Sequence, residues 1–186
     1  MSGVIVIMVM TTMAYQDRPA TMPEDYWRNP LRCGLNCLYG YMSLHGREQE
    51  FGTLARRVNL GTKGANLDDL RQVATELGVS SSIVKTNNRE LDQMPLPAIA
   101  HFDVRGGHYQ LLLQVDSDFV AVADMSSGTI EDLPRDVFLE MWSGYLLVPG
   151  SVTLWKDFVW QVILSALIGF SVFRCCRIYF RGSASR

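Results

Sequence analysis

The sequence predicts an α+β domain, with helices first and an antiparallel sheet after them, followed by a transmembrane helix. Three observations predict it. Helix-period runs with caps fill residues 30–78, short β-prone runs separated by turn residues fill 81–148, and an uncharged apolar stretch lies near the carboxyl end.

In the first helix, Asn29-Pro30 reads as an N-cap followed by proline at the first helical position. Leu35, Leu38 and Met42 supply the apolar positions, His45-Gly46 the stop, and Cys33 falls in the first turns. Phe51 to Val58 reads as a short helix ending near Asn59-Leu60-Gly61. Asn66 caps a third, Leu67 to Leu77, with Asp68 and Asp69 in its first turn and Gly78 beyond its end. Strand signals follow in Ser81-Ser82-Ile83-Val84, Leu96 to Phe102, Tyr109 to Val115 after Gly106-Gly107, and Phe119 to Asp124. The link Asp116-Ser117-Asp118 is hairpin-like, which makes His108 and Asp124 neighbours at one end of adjacent strands. Pro134 to Trp142 reads as a closing helix and Tyr145 to Val148 as a last strand.

These elements make residues 25–149 one domain, which a chain of 186 residues with 48% hydrophobic content is long enough to close around a core. From Phe158 to Phe173 sixteen residues carry no charge. A bilayer needs about 20, which Leu154, Trp155, Cys175 and Cys176 supply while Lys156 and Arg174 snorkel, so 152–177 is expected to span the membrane once. Residues 178–186 form a basic tail. Arginines after the span outnumber the lysine before it, which places the tail in the cytoplasm and the domain on the exoplasmic side. Residues 1–24 begin with an apolar run around Val4 to Val9 that resembles a signal-peptide core without a positive start. A β-branched strand or a later true start are rival readings, and without export the domain would be tail-anchored and face the cytoplasm.

Charge excludes one class of partner. Seventeen Lys and Arg against nineteen Asp and Glu leave a net charge of −2, so no basic field exists to hold nucleic acid. Cys33, Cys37 and the adjacent Cys175 and Cys176 form neither a disulfide framework nor a zinc-site pattern, and no metal or cofactor is expected. Cys33 and Cys37 are four apart, not the three of a redox dithiol, which argues against thiol–disulfide exchange.

Three residues carry chemistry. On residue type alone Cys33 is a small buried hydrophobe, but a helix N-terminus favours a thiolate, and Gly34 leaves room for a substrate carbonyl. Cys37, one turn on, is assigned to packing. His108 follows a Gly-Gly pair and starts an apolar strand, where an imidazole belongs only at the mouth of a cleft; His101 and His45 lack that setting. Asp124 ends an apolar strand before Ser126, Ser127 and Gly128, which simple turn chemistry would also explain. A thiol nucleophile needs a base, and the base a partner that fixes its tautomer. These residues supply all three.

With Cys33-Gly34, Cys37, Met42, His45-Gly46, Leu96 to His101, Gly107-His108, Asp124, Gly128, Phe138, Trp142 and Gly144, the chain from about Asp25 to Val148 resembles a known family. It is similar to the bacteriocin-processing cysteine peptidases, the papain-like domains that remove double-glycine leader peptides and usually precede the membrane and ATPase parts of peptide-exporting ABC transporters. The resemblance implies a papain-like cysteine peptidase fold with Cys33 as nucleophile, His108 as base and acid, and Asp124 as its orienter. It implies a peptide or precursor-protein substrate, cut after small residues of the Gly-Gly type. No Gly-x4-Gly-Lys-Ser/Thr phosphate loop occurs, so a stand-alone, membrane-anchored peptidase working beside a separate ABC exporter is expected.

Two departures bear on activity. The family places an oxyanion-binding glutamine six residues before the cysteine; Trp27 occupies that position here, with Arg28 and Asn29 as alternative donors. Losing one such donor costs ~10²- to 10³-fold in rate. Met125 stands where the family has proline, which alters a turn more than the chemistry. A catalytically degenerate, peptide-binding domain serving a transport or secretion partner is the alternative that these departures support.

Overall fold

The computed structural model describes residues 28–104 and 107–150. The apolar segment 1–24, Trp27, the expected span 152–177 and the basic tail 178–186 lie outside the described residues. Among the described residues no helix is long and apolar enough to cross a membrane.

A 3-10 turn, Pro30–Arg32, is capped by the Asn29 side chain, which accepts from the Leu31 N–H at 3.0 Å. Helix α1, Cys33–Leu44, continues from it, so Cys33 is the first α-helical residue. Gly46, at φ +67°, reverses the chain after the His45 cap. Helix α2 is Phe51–Arg57. Helix α3, Leu67–Glu76, starts in a capping box, with Asn66 Oδ1 accepting from the Asp69 N–H and Asp69 Oδ2 from the Asn66 N–H.

Six strands then form one antiparallel sheet: β1 Ser81–Lys85, β2 Ala98–Phe102, β3 His108–Val115, β4 Phe119–Asp124, β5 Thr129–Pro134 and β6 Trp142–Pro149. Their order is β1-β6-β2-β3-β4-β5. Helix α4, Asn88–Leu91, lies between β1 and β2, and α5, Arg135–Met141, between β5 and β6. Sequence reading finds neither α4 nor β5. The first is a single turn capped by Asn87, and the second is exposed along almost its whole length, so neither carries a burial period.

Alternate strand residues serve two cores. Ile99, Leu111, Leu113, Ala123 and Leu147 face the cluster that contains α1, α2 and α3, with Leu35, Leu38, Tyr41, Met42, Leu54, Leu70 and Val73. On the second face Phe102 meets Phe138 of α5 edge-on at 5.5 Å, and Phe138 meets Trp142. Helix α1 rests on β3 and β2 and is flanked by α2 and α3, so it is buried nearly all round and its only fully buried polar residue is Asn36. Truncating Leu35 or Leu38 to alanine costs about 2–5 kcal/mol.

Candidate active site

Three separate elements bring the sequence-predicted residues together. Cys33 opens α1 and is 5% exposed; His108 opens β3; Asp124 closes β4. Strands β3 and β4 pair Leu111 with Ala123, so the next step along the register sets Asp124 opposite Gln110, diagonal to His108. At that end of the sheet His108 Nε2 lies 3.6 Å from Asp124 Oδ2. The separation is an ion-pair contact slightly longer than a hydrogen bond. The Cys33 thiol is the second polar partner of the imidazole.

This surrounding charge controls the ring. The Asp124 contact first, and then the Cys33 thiol, raise the His108 pKa from 6.5 to about 9, against the opposing effect of burial. Burial pushes the Asp124 carboxyl up, but His108 and the amides of Ser126 and Ser127 more than offset it, so the carboxyl titrates below its usual range. Its Oδ1 accepts from the Ser126 N–H at 2.8 Å and from the Ser127 N–H at 3.4 Å, which leaves Oδ2 turned to the histidine.

Gly34 is required by close approach. A Cβ there would lie 3.1 Å from the Tyr109 ring and 3.3 Å from Leu70, so these two side chains pack directly against the backbone beside Cys33. Burial, followed by the charges of Cys33 and Cys37, pushes the Tyr109 phenol up to about 12, and the ring stays neutral. Cys37 is fully buried, donates its thiol to the Tyr109 carbonyl at 3.2 Å, and titrates well above an ordinary thiol because burial dominates. Its packing role agrees with the sequence reading. His101 lies in β2 against Ser143 and the Tyr109 ring; His45 caps α1 and meets the Pro97 carbonyl. Burial lowers both pKa values, so both rings are neutral where His108 is charged.

Of the oxyanion candidates, Arg28 is exposed and Asn29 is half-buried with its Oδ1 engaged by the Leu31 N–H, so any donation from Asn29 would come from Nδ2. Sequence reasoning missed Asn36, whose Nδ2 donates to Ser126 Oγ at 3.2 Å across ninety residues of chain. The signal available was one amide inside the otherwise apolar run Gly34-Leu35-Asn36-Cys37-Leu38. A separate open cavity of about 430 Å³, lined by Tyr39, Ser43, Glu48, Gln49 and Glu50, contains none of these residues.

Comparison with known proteins matches residues 28–152 to the peptidase C39 family. Two Escherichia coli relatives are each 29% identical over 130 residues: the probable microcin-H47 secretion/processing ATP-binding protein MchF and the colicin V secretion/processing ATP-binding protein CvaB. The match covers 66% of this chain but only 18% of theirs. Among solved structures, a double glycine motif protease from an AMS/PCAT transporter, crystallised with its leader peptide, aligns with TM-score 0.59 and 16% identity over 66% of this chain and 86% of that one. The peptidase domain of Streptococcus ComA, a bifunctional ABC transporter, aligns at 0.58 and 17% over 64% and 91%. The peptidase C39-like domain of a toxin secretion ATP-binding protein from Vibrio parahaemolyticus aligns at 0.55 and 20% over 66% and 97%. These structural likenesses establish a shared α+β, papain-like fold.

Proposed function

The chain belongs to the peptidase C39 family of cysteine peptidases, and on that premise we propose that it hydrolyses peptide bonds through Cys33, His108 and Asp124. The observation that carries this reading is the imidazole of His108, flanked by the Cys33 thiol and the Asp124 carboxylate and held protonated to about pH 9.

With Nε2 turned to Asp124, Nδ1 is the atom that exchanges a proton with Cys33. The Cys33 sulfur attacks the scissile carbonyl carbon, and the tetrahedral oxyanion draws on donors from the 27–29 segment. As the C–N bond breaks, the leaving amine takes the proton of His108. Neutral His108 then removes a proton from water, which attacks the thioester; the C–S bond breaks, restoring thiolate and imidazolium and releasing the new carboxylic acid, which gives its proton to solvent. Asp124 holds the ring in one tautomer throughout.

Similarity to secretion/processing proteins and to a protease solved with a leader peptide supports leader peptides, cut after a Gly-Gly pair, as the substrate. The uncharged stretch 158–173 supports a single-pass anchor, the arginines after it support an exoplasmic domain, and similarity to secretion/processing ATP-binding proteins supports an ABC exporter as partner. Protease shaving of intact cells should remove the domain; its survival until lysis would reverse the orientation.

The direct test incubates the full chain with a precursor peptide whose leader ends in Gly-Gly and locates the cut by mass spectrometry. Cleavage after that pair, absent in Cys33→Ala, is expected. No cleavage, together with Cys33 alkylation no faster than a free thiol's, would leave peptide binding as the function.

A further inference from the structure

We infer that Asn36 is a positioning residue which, acting through Ser126, sets the Asp124 carboxylate against His108; the inference rests on the peptidase reading above. Asn36 lies one turn after Cys33 on α1, fully buried among apolar side chains. An amide there loses its water, so it costs stability unless bonded, and a methyl or isobutyl group would fill the same space without that cost. Its amide nitrogen donates to Ser126 Oγ at 3.2 Å. Ser126 in turn gives its own N–H to Asp124 Oδ1 at 2.8 Å, while Oδ2 of the same carboxylate meets His108.

One turn beyond Asn36, Gly40 continues the same helix face. A Cβ at Gly40 would lie 2.9 Å from Met125 Cε and 2.8 Å from Leu111 Cδ1, so Met125 packs where a side chain would otherwise stand. Helix α1 therefore grips the turn after β4 at two consecutive residues, Met125 by packing and Ser126 by a hydrogen bond. The first contact fixes only the depth of the turn. The second is directional, and it ties the helix that carries the nucleophile to the turn that aims the carboxylate. An alanine at position 36 keeps the helix and its apolar packing but leaves the turn free to rotate Oδ2 away from the imidazole.

The test measures two quantities on the full chain: the pH dependence of Cys33 alkylation by iodoacetamide, followed by peptide mapping, and kcat and KM on a Gly-Gly precursor peptide. The charged groups that act on His108 are Asp124 and Cys33, and neither is changed in these variants. Asn36→Ala and Ser126→Ala should each lower kcat about 10- to 100-fold with KM within about twofold. Both should shift the alkaline limb, which reports His108, to lower pH. Ser126→Thr retains the hydroxyl and should stay near wild type. The double alanine variant should be no worse than either single one, because both break the same link. Unchanged limbs in both singles, or losses confined to KM, would overturn the inference. Should Asn36→Ala fail to fold, Ser126→Ala, on a half-buried turn, decides alone. Failure of the peptidase reading shows in the wild-type chain instead, as Cys33 alkylation no faster than in the unfolded chain, and it would overturn this inference as well.

Discussion

Replacing Asp124 by asparagine keeps the shape of the side chain and removes its charge. The Asp124 contact is the largest cause of the rise in the His108 pKa from 6.5 to about 9, with Cys33 second and burial opposing both. That rise corresponds to roughly 3 kcal/mol in favour of the imidazolium. The two side chains are only 27% and 24% exposed, so solvent screens the pair modestly. Without the carboxylate, Cys33 alone works against burial. The alkaline limb of kcat/KM and of Cys33 alkylation should therefore move from near pH 9 down toward the ordinary imidazole range of about 6.5. The rate at neutral pH should fall by about 10²- to 10⁴-fold, because the ring also loses its fixed tautomer. The assay is a pH series of leader-peptide cleavage and iodoacetamide labelling, with circular dichroism to establish folding. A folded Asp124→Asn chain whose limb stays at pH 9 would refute the reasoning, since something other than this carboxylate would then charge the ring.

The same contact should stabilise the fold in a defined window. The His108 contribution is complete below about pH 6.5 and is lost as pH rises through about 9, whereas that of Asp124 is present above about pH 3.9 and is lost on acidification, so the gap in melting temperature between wild type and His108→Gln should be widest between about pH 4 and 6.5. Cys37→Ala should destabilise by about 1 kcal/mol in urea titrations yet leave Cys33 labelling unchanged, because its thiol is buried and bonded to the Tyr109 carbonyl. Gly64→Ala should cost about 1–3 kcal/mol, as φ is +87° and the new Cβ would lie 2.8 Å from the Leu31 carbonyl oxygen, two residues ahead of Cys33; a melting point equal to wild type would contradict that. Asn66→Ala removes the capping box of α3 and should cost about 0.5–2 kcal/mol by the same titration.

Much of this architecture is local and therefore legible in the sequence. Asn29-Pro30, Asn66 and the glycines at 46 and 78 mark helix ends through bonds and backbone angles that involve only near neighbours. Short apolar runs announce β3 and β4, because the middles of both strands are buried on both faces of the sheet. Cys33, His108 and Asp124 are each ordinary by type, and only their settings, a helix start, a Gly-Gly junction and a strand end, single them out. What the sequence could not determine is pairing over distance. Strand β6, the last of the described strands, inserts between β1 and β2, since burying Leu146, Leu147 and Val148 on both sides there outweighs chain proximity. Asn36 and Ser126, ninety residues apart, meet only because α1 packs on the sheet face at β3 and β2, which brings it beside the turn after β4. The residue types belong to the sequence; the charge on the imidazole belongs to the tertiary structure, because it depends on distances between side chains that only the packed fold sets.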